Sequence, residues 1–422
     1  MFFSKFSNKK VLLLQGPVGP FFKYLAQDLE KENAQVFKLN FNGGDHFFYP
    51  HGENFTGGHA ALSEFLKVYI IKNNINSIFV FGDCRPIHRV AKAVVDDLNH
   101  HHANIDWFVF EEGYLRPNHI TLERGGVNGY SELPQKANNF LNNKSSFSRK
   151  GHVKEIGKTF WYAALWAILY YLFANLRKRK YPNYLHHRSL KLTEGLYWVR
   201  GSYRKLFYKF KERHIQKILL EEKQKKYYLV PLQTHNDAQI RCHSNYDDVE
   251  AFINEVTNSF AKNAPIDTCL VIKHHPFDRG YRDYTLLINN IAKKLNITDR
   301  VMYIHDQYLP SLLTHALGAV VVNSTVGMSA VETFLPVKVC GQAVYNLPKI
   351  TVQESLDDFW MTCCTWQADK ESIQKFLFFL THTTQFNGSF YKRLNERSNA
   401  SGVIWSSKEI SPKLTGEDFQ KI

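Results

Sequence analysis

Two adjacent glutamates are the clearest candidates for catalytic chemistry in this sequence. Glu111 and Glu112 directly follow the apolar run 106–110 and precede Gly113 and Arg116. We predict that the run is a buried strand, and ligands of open parallel sheets bind beyond the carboxyl ends of such strands. A carboxylate there can act as a nucleophile or a base, and an arginine can keep it ionised or grip an anion. A surface loop with a structural Glu–Arg pair fits the same residues equally well.

A lysine and two histidines follow another predicted strand. Lys273, His274 and His275 come directly after the run 268–272, and Pro276 fixes the backbone behind them. Lysine and histidine can donate hydrogen bonds to a phosphate or to a leaving oxygen. A turn with solvated histidines is the competing interpretation, because the chain contains 19 histidines.

A hydroxyl pair opens a predicted helix after the strand 319–322. Ser324 or Thr325 would cap the helix, which passes through Gly327 and continues to Glu332. The free N–H groups at such a helix start, together with its positive dipole end, form an anion site. Capping without a ligand is the common case, so the pattern is only moderately specific for phosphate.

A dense polar stretch follows the predicted strand 227–232. It begins at Gln233 and includes His235, Asp237 and His243. Such density is typical either of a binding site or of an exposed loop.

Nothing in the sequence indicates a metal site. The loop from Gly16 to Pro20 lacks the spacing of a dinucleotide fingerprint, and no Asp-x-Asp motif stands out at a strand end. The six cysteines form no C-x-x-C pair, and several lie in apolar runs, which fits core residues in a reducing compartment.

The elements that would position these residues form two series. Short apolar runs alternate with amphipathic helices up to about residue 130 and again from residue 227, which predicts two α/β domains with parallel sheets covered on both faces. At 422 residues, the chain suits two domains and an additional segment. Helices are predicted at 372–380 and 388–396.

An aromatic and basic segment separates the two series. Residues 160–173 form an apolar run of roughly 14 residues, too short to span a bilayer, followed by the cations 177–180. Tryptophan and tyrosine suit the headgroup level of a membrane, and cations favour anionic lipid. An ordinary core helix between domains is the alternative.

The overall charge agrees with an anionic partner. The net charge is +14, and nucleic acid, anionic lipid and phosphorylated small molecules all qualify. No nucleic-acid-binding motif is present, which argues against a nucleic-acid partner. Residues 1–10 contain no stretch long enough for the core of a signal peptide. We therefore expect a cytoplasmic or membrane-peripheral protein.

Taken together, these segments resemble the KpsS/LipB-type family of capsular polysaccharide proteins, which are retaining β-Kdo transferases. The similarity covers both α/β regions, but neither the segment 141–220 nor the C-terminal helices. It rests on these blocks: Leu14–Phe22, Asn40–Asp45, Phe81–Pro86, Glu111–Pro117, Ile120–Gly129, Lys273–Pro276 and Asn323–Gly327.

The resemblance implies a fold and a reaction. The fold would be GT-B-like, with two Rossmann-like domains and a site between them. The donor would be CMP-β-Kdo, with no metal or other cofactor. The acceptor would be the glycerol head of (lyso)phosphatidylglycerol, which would start the lipid terminus of a group 2-type capsule. The protein would work peripherally on the cytoplasmic face of the bacterial inner membrane, possible partners being other capsule assembly and export proteins. A non-enzymatic export accessory protein is the alternative.

The resemblance also assigns roles to residues. In related Kdo transferases an acidic residue of a Glu-Asp-Gly motif forms a covalent sugar adduct, and the matching residue here is Glu112. His275 would assist catalysis. The residues that would hold the donor are Lys273, His275, Ser324, Thr325 and Gly327. Further candidates are Glu111, Arg116, Gln233, His243, Gly16 and Asp83. The implied domains are an acceptor-side domain at 1–140 with the catalytic carboxylate, a linker and helical insert at 141–222, a nucleotide-binding domain at 223–365 and C-terminal helices at 366–422.

Overall fold

The structure, a computed structural model, describes residues 2–142, 153–186, 194–394 and 399–405. It divides into two compact units. Unit 1 comprises Met1–Glu132, Lys144–Leu190 and Phe378–Ile422, and unit 2 comprises Leu133–Asn143 and Lys191–Leu377. Each unit is described by itself below.

Both units alternate strands and helices along the chain. The strands are β1 (Lys10–Leu13), β2 (Gln35–Asn40), β3 (Glu53–Asn54), β4 (Ser77–Phe81), β5 (Asp106–Glu112), β6 (His119–Arg124), β7 (Tyr227–Pro231), β8 (Cys269–Lys273), β9 (Val301–Ile304), β10 (Gly318–Val321), β11 (Val337–Val339) and β12 (Gln385–Asn387). The helices are α1 (Phe21–Lys31), α2 (Gly43–Phe48), α3 (His59–Asn73), α4 (Pro86–His100), α5 (Leu133–Asn142), α6 (Phe160–Leu176), α7 (Glu194–Lys211), α8 (Ile215–Lys217), α9 (Ala238–His243), α10 (Val249–Asn263), α11 (Thr285–Lys294), α12 (Leu309–His315), α13 (Thr325–Glu332), α14 (Leu356–Thr362) and α15 (Lys370–Thr383).

The sheet of unit 1 has a Rossmann-like core. Its strands run in the order β12-β6-β5-β4-β1-β2-β3, and the five strands from β3 to β5 are parallel. This is the doubly wound order 3-2-1-4-5, in which the connections reverse direction between β1 and β4. β6 and β12 extend the sheet antiparallel beyond β5.

The sheet of unit 2 repeats the same order. Its five strands run β11-β10-β7-β8-β9, all parallel. Read from β9, this is again 3-2-1-4-5, with the reversal between β7 and β10. The predicted fold class is confirmed in that the chain forms two Rossmann-like α/β domains.

Strand alternation explains why both faces of the first sheet are covered. Leu12 and Ile78 point into an apolar cluster on one face, whereas Leu13 and Phe79 point into a second cluster on the other face. Successive side chains of a strand point to opposite faces, so an uninterrupted apolar run needs a covering layer on each side.

The C-terminal part of the chain differs from its prediction. Residues 388–394 are not helical, so the helix predicted at 388–396 is wrong over its described part. Instead β12 pairs antiparallel with β6, and Asn387 forms a bridge with Ile404. A Cβ on Gly388 would lie 2.7 Å from Val403, so this close pairing of extended chain explains the absence of a helix. The segment 366–422 is therefore divided between the two units rather than forming helices alone.

The predicted insert at 141–222 is divided as well. Residues 144–190 belong to unit 1 and residues 191–222 to unit 2. The boundary predicted at residue 140 lies within a short stretch, 133–143, that is part of unit 2. Each unit therefore carries its own exposed apolar helix, α6 in unit 1 and α7 in unit 2.

Helix α6 is docked on unit 1 through a glycine pair. A Cβ on Gly43 would collide with the carbonyl oxygen of Phe173, and a Cβ on Gly44 would lie 2.7 Å from the Tyr170 ring. The Tyr170 hydroxyl donates to Asp45 Oδ1 at 2.8 Å. The opposite face of α6 remains exposed; Trp161 is 75% exposed. The alternative prediction, that this segment is an ordinary core helix, therefore holds only for the inner face of α6.

Helix α7 of unit 2 also has one face packed against its own unit and one face exposed. Arg204 donates to the Arg279 carbonyl at 2.8 Å, and Tyr208 stacks on His305 with ring centroids 3.5 Å apart. The outer face carries an apolar stripe that is 68–72% exposed, formed by Leu196, Val199, Tyr203, Leu206 and Phe210. None of the described helices has both the length and the hydropathy that crossing a bilayer requires.

Candidate active site

Glu112 is held at the carboxyl end of β5 by a tyrosine from the far end of the chain. The Tyr391 hydroxyl donates to Glu112 Oε1 at 2.8 Å. Glu112 Oε2 accepts no hydrogen bond from the described residues of unit 1. One carboxylate oxygen is therefore oriented while the other stays available, which suits a nucleophile.

Glu111 lies beside it and is also partly buried. Its Oε1 accepts from the backbone N–H of Glu112 at 3.0 Å. Burial, with a smaller contribution from the nearby Glu112 carboxylate, raises the pKa of Glu111 to about 7 despite the lowering effect of that hydrogen bond. A carboxyl group with a pKa near neutrality can both accept and return a proton in a reaction.

This pKa makes a prediction about stability. A folded-state pKa above the ordinary value of 4.5 means that the folded protein binds the proton more tightly than the unfolded chain. The stability contributed by Glu111 is therefore fully present below pH 4.5 and is lost as the pH rises towards 7. We expect Glu111→Gln to melt a few degrees above the wild type at pH 8 and close to it at pH 4.5, as measured by circular dichroism. The control is Glu64→Gln on the exposed side of α3; an equal pH-dependent gain there would contradict the assignment.

Arg85 lies at the reversal point of the first sheet, in the loop after β4. Its Nη1 donates to the Gly16 carbonyl at 3.2 Å and to Gln15 Oε1 at 3.4 Å. The guanidinium also lies 4.8 Å from the centroid of the Phe81 ring. These contacts join the loops that follow β1 and β4, so the reversal point carries a fixed cation.

The other candidates of unit 1 have structural contacts. Asp83 is 7% exposed and its Oδ2 accepts from the Val127 N–H at 2.9 Å. A Cβ on Gly16 would lie 2.7 Å from the Phe22 ring, so the close approach of α1 requires glycine. Arg116 is exposed and its Nε donates to the Gly113 carbonyl at 3.2 Å. Among the described residues, Arg116 forms no ion pair with either glutamate, so a role for it in holding their charge stays a prediction.

The edge of unit 2 begins with the helix start that the sequence predicted. Ser324 caps α13, its Oγ accepting from the Val326 N–H at 3.2 Å. Thr325 is the first residue of the helix. A Cβ on Gly327 would overlap the Tyr345 hydroxyl, which donates to the Ser324 carbonyl. Because residue 327 is glycine, the Tyr345 hydroxyl can come close enough to bond to the backbone at the start of α13.

The polar stretch after β7 is connected to its neighbours on both sides. Gln233 donates to Asp237 at 3.0 Å and accepts a long bond from the Asn323 N–H at 3.5 Å. His235 Nδ1 bonds to Asp278, which also accepts from the His235 N–H at 3.0 Å. Because β10, β7 and β8 are adjacent in the sheet, these bonds join three loops into one polar edge at the reversal point.

The lysine and histidines after β8 do not all face this edge. Lys273 is 6% exposed and its Nζ donates to the His305 carbonyl at 2.8 Å; burial lowers its pKa to about 8. His274 is 2% exposed and bonds to the Tyr303 hydroxyl at 2.6 Å, and burial lowers its pKa to about 3. His275 is partly exposed, and its Nδ1 accepts from the Phe277 N–H at 3.2 Å. His275 is therefore the most accessible of the three.

His243 is a buried member of the same unit. It ends α9, is 1% exposed, and burial lowers its pKa to about 4. The backbone carbonyl of His243 accepts from the Gln342 N–H at 2.7 Å. A neutral, buried imidazole contributes packing, and any ligand-binding role for it stays a prediction.

Sequence reasoning missed two contributors to the edge of unit 1. Tyr391 lies in a segment predicted as helix, and its contact with Glu112 spans 279 positions of sequence. Arg85 lies within a matched block, but its loop gave no reason to prefer it to Arg116. The sequence did contain one indication of a role for Arg85, which follows an apolar run and directly precedes Pro86.

Comparison with known proteins places the chain in a family. Residues 76–391 match the family model described as "Capsule polysaccharide biosynthesis protein". The "Capsule polysaccharide modification protein LipB" of Neisseria meningitidis serogroup A is 40% identical over 92% of this chain and 93% of its own. The "Capsule polysaccharide export protein KpsS" of Escherichia coli is 39% identical over 91% of this chain and 97% of its own.

Among solved structures, the β-Kdo 2,7-transferase of Thermosulfurimonas dismutans KpsC aligns with a TM-score of 0.37. The alignment covers 88% of this chain and 99% of that chain, at 13% identity. The family match and the two close relatives cover most of the chain. The chain therefore belongs to the capsule polysaccharide biosynthesis protein family.

Proposed function

We propose that this protein is a retaining β-Kdo transferase. It moves Kdo from CMP-β-Kdo to a (lyso)phosphatidylglycerol acceptor and so starts the lipid terminus of a group 2-type capsular polysaccharide. The observation that carries the proposal is the Glu112 carboxylate, which Tyr391 holds through one oxygen while the other accepts no hydrogen bond from the described part of unit 1. The names of the relatives, which refer to capsule modification and export, support the pathway.

The proposed reaction has two displacements. A carboxylate oxygen of Glu112 forms a bond to the anomeric carbon of Kdo, while the bond from that carbon to the phosphate oxygen breaks and CMP leaves with the electron pair. The hydroxyl oxygen of the acceptor then attacks the same carbon, and Glu112 leaves. The hydroxyl proton moves to the Glu111 carboxylate. Two inversions give net retention.

The leaving CMP is assigned to unit 2. The start of α13 at Ser324 and Thr325 offers free N–H groups and the positive end of a helix dipole. His275, partly exposed on the adjoining loop, can donate a hydrogen bond to the phosphate. Such donors stabilise developing negative charge without a metal, and we propose a metal-independent reaction. Lys273 is 6% exposed and gives one of its three N–H groups to the His305 carbonyl, so we assign it a smaller part in binding CMP than His275.

The acceptor suggests where the protein works. We place it on the cytoplasmic face of the inner membrane, with the outer faces of α6 and α7 against anionic lipid. Helix α7 carries its exposed apolar stripe beside cations such as Arg200, Lys205 and Lys209. An amphipathic helix of this kind lies in the plane of the interface.

A vesicle experiment tests this contact. Lys178, Arg179 and Lys180 follow α6 and are exposed. Each charge near anionic lipid contributes about 1 kcal/mol. We therefore expect replacement of all three by Gln to weaken sedimentation with phosphatidylglycerol-containing vesicles by on the order of 100-fold. Val199→Ser with Leu206→Ser on α7 should weaken it as well.

The control uses exposed apolar residues elsewhere on unit 2. Ile266→Ser with Leu286→Ser changes side chains that are 87% and 77% exposed but belong to neither helix. Binding that falls equally in the control, or stays unchanged in both test variants, would argue against a lipid-facing role for α6 and α7.

One incubation tests the proposed function itself. Purified protein is mixed with CMP-β-Kdo and a fluorescent phosphatidylglycerol, without added metal and with a chelator, and the lipid product is analysed by mass spectrometry. We expect a mass increase of one Kdo residue and a β-linkage by NMR. Binding of CMP without product, under conditions where a known transferase is active, would instead favour an accessory role in capsule export.

A further inference from the structure

Gly82 lies between Arg85 and Glu111 at the edge of unit 1. A Cβ built on Gly82 would meet no atom closer than Arg85 Nε at 3.6 Å, with Glu111 Oε2 at 3.7 Å. Arg85 and Glu111 flank this position, yet they form no ion pair among the described residues. A ligand atom in the position of that Cβ would therefore contact both the Arg85 guanidinium and the Glu111 carboxyl group.

The guanidinium of Arg85 presents one particular edge to this position. Its Nη1 is already used by the Gly16 carbonyl and Gln15 Oε1, and its plane lies near the Phe81 ring. Nε and Nη2 donate to none of the residues that the structure describes. These two nitrogens form a pair of parallel donors whose spacing matches the two oxygens of a carboxylate.

The positive charge of Arg85 also favours binding of an anion at this position. Arg85 is partly buried, and burial lowers the pKa of its guanidinium while Tyr170, Glu111 and Asp45 raise it from a distance. A desolvated cation without a bonded anion is unfavourable, because its lost hydration is not replaced. Binding of a carboxylate would supply the missing partner.

We propose that Arg85 binds the carboxylate of the transferred sugar. The proposal rests on the proposed function for the identity of that sugar. In Kdo the carboxylate is bonded directly to the anomeric carbon, which is the atom that Glu112 attacks. Two negative groups must then approach within a few ångströms, and a cation beside them offsets their repulsion. Arg85 is close enough to act electrostatically on Tyr391, the residue that orients Glu112. This makes Arg85 a determinant of specificity for acidic sugars.

The test compares free Kdo with its C1 carboxamide, in which only the carboxylate is changed. Calorimetric titrations are made with the wild type, Arg85→Gln and Arg85→Lys. We expect the wild type to prefer the acid, and Arg85→Gln to lose about 10- to 100-fold of that preference. Arg85→Lys keeps the charge but not the paired donors, so its preference should be intermediate. The control is Arg89→Gln, one turn along the exposed side of α4, which should resemble the wild type.

Each result decides the matter. A preference for the acid that survives in Arg85→Gln overturns the proposal. Weaker binding of CMP in Arg85→Gln, with the preference intact, would assign Arg85 to a phosphate and overturn it as well. If Arg85→Gln fails to fold by circular dichroism, Arg85→Lys decides, since a preference equal to that of the wild type contradicts paired donation. A wild type that prefers the acid but makes no product from CMP-β-Kdo would refute the proposed function and leave the carboxylate site standing.

Discussion

Replacing Glu112 by Gln is expected to abolish sugar transfer while leaving the fold intact. The amide keeps the size of the side chain and can still accept the hydrogen bond that Tyr391 donates to Glu112 Oε1. It cannot displace the nucleotide, because an amide is a far weaker nucleophile than a carboxylate. Loss of a covalent nucleophile lowers kcat by on the order of 10⁴-fold or more. The measurement is the initial rate of Kdo transfer, with the melting temperature recorded in parallel.

Two variants separate a nucleophile from a merely structural carboxylate. Tyr391→Phe removes the orienting hydroxyl but leaves Glu112 charged, so we expect a loss of about 10-fold in kcat and no change in product. Glu112→Asp shortens the reach by one methylene and should retain partial activity with accumulation of less covalent adduct. Intact-protein mass spectrometry of the wild type with donor alone should detect one bound Kdo. Full transfer by Glu112→Gln would rule out the nucleophile role.

Replacing Gly43 by Val is expected to be the most damaging single change at the α6 contact. A Cβ at this position collides with the Phe173 carbonyl oxygen and lies 2.7 Å from Arg177 Cβ. These are atoms of the helix itself, which cannot rotate away as a flexible side chain can. Overpacking of this kind costs about 1–3 kcal/mol or more. We expect a clear drop in melting temperature and faster proteolysis within α6.

The matched control is Gly195→Ala. No atom lies within 4 Å of a Cβ built there, and alanine favours a helix over glycine by about 1 kcal/mol. Its melting temperature should equal or slightly exceed that of the wild type. Similar destabilisation by both variants would mean that the glycines matter for backbone freedom rather than for the approach of α6.

The fold could be predicted largely because its strands are short and buried on both faces. The predicted runs 268–272 and 319–322 became β8 and β10 with each end within one residue of the prediction, since apolar residues stop there and polar ones begin. β6 and β12 were missed for a different reason. They are the two antiparallel strands at one end of the sheet, and they are joined to each other across more than 250 positions, as in the pair Thr121 and Gln385. No local pattern encodes such a partner.

The candidate site likewise contains residues that local sequence could predict and residues that depend on distant contacts. A cap was predicted at Ser324 or Thr325, and Ser324 takes that role, because capping depends on the next two residues only. Tyr391 could not be assigned, because its role depends on the return of the chain to β5. Arg85 and Arg116 have similar local sequences, each preceding a proline. What separates them is whether the side chain turns inward to the Gly16 carbonyl or outward to solvent, which is decided by packing of distant elements.

The return of the last segment to unit 1 has a consequence for biosynthesis. Trp405 and Phe390 complete the apolar cluster of that unit, and the Trp405 indole donates to Ser401 at 2.9 Å. A nascent chain emerges from the ribosome N-terminus first, yet the first sheet lacks these residues until nearly the whole protein has been made. Unit 2 is contiguous enough to fold earlier. We therefore expect the domain that begins the chain to be the last to mature. A premature stop before residue 378 should leave it without both the residues that complete its core and the tyrosine that orients Glu112.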